Sequence, residues 1–247
     1  VGKVILITGV SSGFGKACAE LLAGAGYTVY GTIRQKSGIN SEFRFLTMDL
    51  TDQHSIKEAV ATVIREQGRI DVLINNAGMH SGGPAETIPA DYIRLQLETS
   101  FTGMVMLTRE VLPHMRSQGK GTIINISSIG GLMGLPFQAY YSAAKFAVEG
   151  FSEALRMEVS RFNIRIVIIN PGDFRTNNSA NRRFFLAPTH EDDPYNEQFS
   201  RSLEQIEKDE KNGWEPGLLA KKLVKIVGYE RPAHRYIIAS FEQKLAV

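Results

Sequence analysis

Tyr141 and Lys145 stand four residues apart. On a helix that spacing is one turn, so the two side chains share a face. A phenol has a pKa of about 10 in water and is a poor proton carrier near neutrality. A neighbouring ammonium favours the phenolate and brings the pKa down into a working range. Tyr140 is the rival, but its offset to Lys145 is five. A second group stands near the start, where Thr8-Gly9-Val10-Ser11-Ser12-Gly13-Phe14-Gly15 follows the apolar run Val4-Ile5-Leu6-Ile7 and enters a helical pattern. Glycines there let the backbone turn tightly and approach a pyrophosphate, which would rest on the helix N-terminus. A glycine-rich turn without a ligand is the bland alternative. The third feature is the end of the second strand, Tyr30 to Lys36, which holds no acid. An acid there would bind a ribose 2′-hydroxyl and repel a 2′-phosphate. Arg34 instead offers a planar fork suited to phosphate, or is a solvated loop cation, and Lys36 reads as surface charge.

The elements that must position these residues alternate. Strand patterns fall at Val4–Ile7, Tyr27–Ile33, Phe43–Met48, Asp71–Asn75, Thr122–Ser127, Ile164–Ile169 and Arg235–Ala239. Helical patterns fall at about Gly15–Ala25, to Gln67 after a capping Asp52 and before Gly68, at Leu95–Ser117, Ala139–Phe162, Asn196–Lys211 and Pro216–Tyr229. This alternation predicts a single α/β domain over 1–247, a doubly wound parallel sheet with helices on both faces. Ligands in such sheets bind at the carboxyl ends of the strands, where all three features fall. The polar, aperiodic stretch from Pro171 to Pro194 breaks the rhythm. Together with the helical pattern after it, this stretch is expected to form a substrate-covering lid over about 177–215.

The glycine turn, spaced T-G-x-x-x-G-x-G, resembles that of the short-chain dehydrogenase/reductase family. Further matches come in order along the chain: Asp49, Asn75-Asn76-Ala77-Gly78, Ser127-Ser128, Tyr141-x-x-x-Lys145, Pro171-Gly172 and Thr176. The run Gly131 to Phe137 looks most like the hydroxysteroid and retinol dehydrogenase branch. The resemblance implies a Rossmann-like fold and an NADP(H)-dependent oxidoreductase in which Tyr141 moves the proton, Ser128 hydrogen-bonds the substrate oxygen, and Lys145 also binds the nicotinamide ribose. It implies cofactor contacts from Gly9, Ser11, Ser12, Gly13, Phe14, Gly15, Arg34, Asp49, Leu50, Asn76, Ala77, Gly78, Pro171, Gly172 and Thr176. It also implies a homodimer or homotetramer. One departure stands out. The family commonly has asparagine in an N-x-x-G pattern forty-one residues before the tyrosine, and here the pattern is Ser100-Phe101-Thr102-Gly103. Ser100 is expected to keep the corresponding proton relay in altered form; packing of a helix is its other reading.

Bulk composition limits the alternatives. A net charge of +2 gives no case for nucleic acid or an acidic membrane surface. No apolar run approaches the roughly 20 residues of a membrane span. The start runs straight into a strand, so no signal peptide is expected, and Phe241 to Val247 reads as the start of another element. One cysteine, Cys18, excludes an internal disulfide and suits a reducing compartment, so a cytoplasmic location is expected. Cys18 reads as core packing, and Met104 and Met106 as core or subunit contact. The five histidines, His80 among them, show no ligand spacing, and no metal is expected. Leu132, Met133, Leu135, Phe137, Phe184 and Phe185 suggest an apolar mouth for a steroid, retinoid or long-chain ketone. Arg182 and Arg183 read as solvated lid residues, with contact to an acidic substrate as their other reading, and Trp214 either closes the pocket or fills the surface. The rival readings are a 3-oxoacyl thioester reductase and a dinucleotide-sensing protein without catalysis.

Overall fold

Every residue of Val4–Thr8 is buried. A strand that is apolar on both faces belongs in the middle of a sheet covered on both sides. That is its place in the computed structural model, which describes residues 2–35, 41–175, 183–185, 194–245 and 247. The strands are β1 (Val4–Thr8), β2 (Thr28–Ile33), β3 (Arg44–Thr47), β4 (Val72–Asn75), the short β5 (Ser81–Gly82), β6 (Gly121–Ile126), β7 (Ile164–Pro171), the short β8 (Arg183–Phe184) and β9 (Arg235–Ile238). Seven of them form one sheet in the order β3-β2-β1-β4-β6-β7-β9, parallel at every pairing. β5 and β8 pair separately, Ser81 with Arg183 and Gly82 with Phe184.

The helices are α1 (Gly13–Gly24), α2 (Gln53–Gln67), α3 (Ala90–Leu97), α4 (Gly103–Gln118), α5 (Ala139–Val159), α6 (Asn196–Lys211), α7 (Pro216–Gly228) and α8 (Phe241–Leu245). Alternation along β1 sends Ile5 and Ile7 to one face and Val4 and Leu6 to the other. The first face packs against Cys18 and Leu22 of α1 and Leu219 and Leu223 of α7. The second packs against Ile56 and Val60 of α2, Leu107 and Val111 of α4 and Leu155 of α5. The doubly wound architecture read from the alternation is therefore present, and Cys18 is a core residue. Asp52 caps α2 by accepting from the His54 N–H at 2.9 Å, and Gly68 ends it at φ 71°.

One element differs from expectation. The helix expected from Leu95 begins earlier, at Ala90 behind Pro89, and a π-helical turn at Glu98–Thr102 separates α3 from α4. The first turn of α3, Ala90 to Ile93, buries none of its residues fully, so it carries little apolar periodicity. The turn brings Gly103 against the Leu50 carbonyl, where a Cβ would collide.

The chain winds from β1 outward to β2 and β3, then returns to lay β4 on the other side of β1. At that reversal the loops after β1 and β4 part and leave a crevice. Side chains tie its two walls. Thr8 Oγ1 accepts from the N–H groups of Asn76 (3.0 Å) and Ala77 (2.8 Å), and Asn76 Nδ2 donates to the carbonyls of Thr8 (2.9 Å) and Gly9 (3.2 Å). A Cβ on Gly15 would land on the Gly9 carbonyl and 2.5 Å from Asn76 Nδ2. Gly15→Ala should therefore destabilise the protein by about 1–3 kcal/mol in chemical denaturation, the usual cost of overpacking. Gly24→Ala, which meets nothing within 4 Å, should not destabilise it. Equal midpoints for both variants would contradict the close approach.

Candidate active site

The glycine turn builds one end of the crevice. Gly9 and Gly13 sit at φ 72° and 57°, a region that side chains disfavour. Ser12 precedes α1 in extended conformation with no side-chain capping bond, and the first turn of α1 holds no acid. The N–H groups of that turn and the positive end of the helix dipole thus remain available to an anion. Ser11 is exposed beside them, and the Phe14 ring packs edge-on to Phe174 at 4.9 Å. At the end of β2, Arg34 is exposed and has no hydrogen bond or ion pair among the described residues. After β3, the Asp49 carboxylate accepts from Thr51 N (2.9 Å) and Thr51 Oγ1 (2.8 Å), and Leu50 is buried. Asn76, Ala77 and Gly78 follow β4. Pro171 ends β7, and the Gly172 N–H donates to the Ile238 carbonyl at 3.0 Å. These residues share the carboxyl edge of the sheet and fit a dinucleotide: bare backbone, an uncapped helix start and an unpaired cation. Thr176, Lys36 and Arg182, with most of the expected lid before 194, lie outside the described residues. Among those described, no cluster of three His, Cys, Asp or Glu side chains could hold a metal ion.

The other end is built by β6 and α5. Ser128 follows β6 in extended conformation. Its Oγ accepts from the Gly130 N–H at 3.0 Å, and its carbonyl accepts from Asn170 Nδ2 at 3.0 Å. Tyr141 lies in the first turn of α5 and Lys145 one turn on. Lys145 is 7% exposed. Its Nζ donates to the Ile126 carbonyl at 2.8 Å and lies 5.8 Å from the centre of the Tyr141 ring. Burial pushes the Lys145 ammonium down to about 8, and the Glu149 carboxylate pulls it part of the way back. Tyr140 points elsewhere, its hydroxyl donating to the Ala85 carbonyl at 3.0 Å. The tyrosine beside the lysine is therefore Tyr141.

His80 and Gln138 gain a place at the site that their sequence positions do not announce. The His80 ring stacks on the Tyr141 ring, 3.9 Å between centres and 12° from parallel. His80 Nε2 is 2.5 Å from Gln138 Oε1, and both residues are buried. A lone histidine in a loop carries no spacing signal, so only the fold reveals its neighbour. Ser100 is buried in the π turn. Its Oγ accepts from Met79 N (3.2 Å) and Gln96 Nε2 (2.9 Å) and donates to the Met79 carbonyl (3.3 Å). The hydroxyl thus holds the loop that carries His80, and its hydrogen bonds do not include Lys145.

An aromatic wall stands over this end. Phe137, at φ 56°, accepts at its carbonyl from the Gly83 N–H (2.8 Å) and meets Phe199 of α6 at 5.2 Å and Tyr195 at 6.5 Å. The Phe185 N–H donates to the Gly82 carbonyl (2.9 Å), and its ring lies 4.4 Å from that of Tyr92. Leu132, Met133 and Leu135 are half-buried between β6 and α5. Trp214 lies apart from this wall, edge-on to Phe174 at 5.9 Å, the ring that also meets Phe14 of the glycine turn.

A family model described as short chain dehydrogenase matches residues 3–185. A 3-ketodihydrosphingosine reductase of Bacteroides thetaiotaomicron is 46% identical over 98% of this chain and 90% of its own length. An NADPH-dependent 3-dehydrocapnine reductase of Ornithobacterium rhinotracheale is 31% identical over 96% and 88%. The crystal structure of a short-chain dehydrogenase from Streptomyces avermitilis superposes with a TM-score of 0.87 at 32% identity, covering 99% of this chain and 90% of that one.

Ser100→Ala would leave Met79 N without its acceptor inside the fold and Gln96 Nε2 with the Met79 carbonyl alone. The expected cost is about 1–3 kcal/mol of unfolding free energy, read by urea denaturation. An unchanged midpoint would mean that the hydroxyl does not hold this loop.

Proposed function

Because the chain belongs to the short-chain dehydrogenase/reductase family, we propose that this oxidoreductase is an NADPH-dependent reductase of a long-chain ketone, with Tyr141 as the proton donor. The observation that carries the reading is the buried Lys145 beneath the Tyr141 ring, with Ser128 close by and an uncapped helix start at the other end of the same crevice.

Gly9, Ser11, Ser12, Gly13, Phe14 and Gly15 would hold the pyrophosphate. Asp49 and Leu50 would meet the adenine, Asn76 to Gly78 would line the crevice wall, and Pro171, Gly172 and Thr176 would hold the nicotinamide amide. Arg34 would pair with a 2′-phosphate, and the lack of an acid at the end of β2 favours that phosphate over a bare ribose. The name of the Ornithobacterium relative, an NADPH-dependent reductase, supports the same choice. The dinucleotide, when bound, supplies hydride to the carbonyl carbon. The Ser128 hydroxyl donates a hydrogen bond to the carbonyl oxygen and fixes its place. The Tyr141 phenol gives its proton to that oxygen as negative charge develops there. Lys145 stabilises the phenolate left behind and binds the nicotinamide ribose. His80 stacks on the Tyr141 ring, and Ser100 holds the loop that carries His80.

The two named reductases support a 3-oxo substrate on a long chain, and the wall of Phe137, Phe185 and Phe199 supplies apolar surface for one. We favour this class over steroids and retinoids. The assembled Tyr141–Lys145 pair speaks against a protein that only senses the dinucleotide, and a net charge of +2 gives little support to a carrier-protein thioester.

Tyr141→Phe should abolish ketone-dependent NADPH oxidation while leaving NADPH affinity nearly intact, whereas Tyr140→Phe should keep turnover. Retention of a tenth of parental turnover by Tyr141→Phe would sink the proton-donor assignment. Arg34→Ala should weaken NADPH binding about ten- to a hundredfold, since a hydrogen bond to a charged group is worth roughly 1.5–3 kcal/mol. NADH binding should barely change. Tighter NADH than NADPH binding in the parent protein would overturn the cofactor choice.

A further inference from the structure

Tyr141, Lys145, Glu149 and Glu153 follow one another at intervals of four along α5 and so share one face. Glu149 is buried, an unusual place for a carboxylate unless it is paired. Its partner comes from the last strand of the sheet. Arg235 Nη1 lies 2.6 Å from Glu149 Oε2 and donates to Asn170 Oδ1 at 3.1 Å, while Nη2 reaches Glu153 Oε1 at 3.0 Å. Asn170 Nδ2 donates to Glu149 Oε1 at 2.7 Å and to the Ser128 carbonyl at 3.0 Å. One network behind the site therefore touches the segment that carries Ser128 and stands one helical turn from Lys145.

We propose that Glu149, balanced by Arg235, is a positioning residue that sets the charge on Lys145 and thereby the pH range in which Tyr141 can give up its proton. The carboxylate one turn away favours the ammonium. The guanidinium on its far side weakens that field. Lys145 makes its own hydrogen bond to a neutral carbonyl, that of Ile126, so among the described residues the compensating charge that acts on it is the shared one of Glu149. Other titratable groups around this face are few. Tyr141 is on the same helix, and His80 stacks on Tyr141. From α3, Asp91 and Arg94 pair with each other in solvent, and Tyr92 turns to Phe185. Glu98 of the π turn is exposed. Glu153 is bonded to Arg235 from the solvent side.

Removing the Glu149 charge destabilises the ammonium and lowers the Lys145 pKa. Removing the Arg235 charge leaves the carboxylate unbalanced and raises it. A network that only packed α5 against β9 would lose stability in both variants without moving the titration in opposite directions.

The proposal rests on the reductase reading for its consequence but not for its test. The ligand-free protein, labelled with 13C and 15N at lysine, is titrated by NMR, with the Lys145 side-chain signal assigned through Lys145→Arg. The parent signal should titrate near 8. Glu149→Gln keeps an oxygen that can accept from Asn170 and should titrate about one pH unit lower, a modest effect for a nearby charge. Arg235→Gln should titrate about one unit higher, and Glu153→Gln should move less than either. Glu149→Asp, which keeps the charge, should return towards the parent, and the two Glu149 variants decide the question if Arg235→Gln does not fold. The alkaline limb of ketone reduction should shift with the NMR titration. Shifted titrations in a protein that reduces no ketone would sink the reductase reading and leave the charge assignment standing. Parent, Glu149→Gln and Arg235→Gln titrating at one pH would overturn the proposal.

Discussion

Lys145 carries an ammonium into a place with little water, against the carboxyl edge of a parallel sheet. Taking such a group out of water costs several kcal/mol even after the protein relaxes. Burial brings its pKa down to about 8, below the value of about 10.4 expected for the unfolded chain. Between those two values the unfolded chain binds more protons, so the strain of holding the charged form is greatest below 8 and fades as pH rises. The surrounding structure is arranged around that cost. The Ile126 carbonyl at the end of β6 accepts from Nζ. Gly131 has no side chain, and a Cβ there would lie 3.1 Å from Lys145 Cβ. Glu149 lends a compensating charge, which its part-buried pair with Arg235 tempers.

The sheet makes this arrangement possible because its order reverses between β1 and β4. The loops that would bind the cofactor and those that hold Ser128 and Tyr141 all leave from the same edge. Asn76 and Thr8 bridge the reversal and fix the glycine turn against the loop after β4. A further polar chain crosses the sheet below the site: Asn75 Nδ2 donates to Thr108 Oγ1 and Asn125 Oδ1, and Asn125 Nδ2 donates to Ser152 Oγ. Buried hydrogen bonds of this kind fix the register of β4, β6 and α5, and so the height of Tyr141 above the strand ends.

Much of this is legible in the sequence because it is carried by local pattern. Apolar runs mark strands buried on both faces, Asp52 and Gly68 bracket α2, and the spacing of Tyr141 to Lys145 is itself a geometry. The interruption at Ser100 is not legible, since a π turn leaves no period of its own and the start of α3, Ala90 to Arg94, has no fully buried residue to set one. His80 draws no attention in the sequence because its partner, Tyr141, is sixty-one residues away. The same holds for Glu149 and Arg235, which meet only because β9 adds beside β7. Contacts of that kind depend on strand order, which periodicity does not encode.

Hydride transfer is the step that Tyr141, Lys145 and Ser128 would serve together. The most direct measurement is reduction of 3-ketodihydrosphingosine with NADPH carrying deuterium at the transferred position of the nicotinamide, followed by mass spectrometry of the product. The expected product is the long-chain alcohol with one deuterium on the former carbonyl carbon. Recovery of unreduced ketone at enzyme concentrations that bind NADPH fully, or an alcohol without the label, would contradict it.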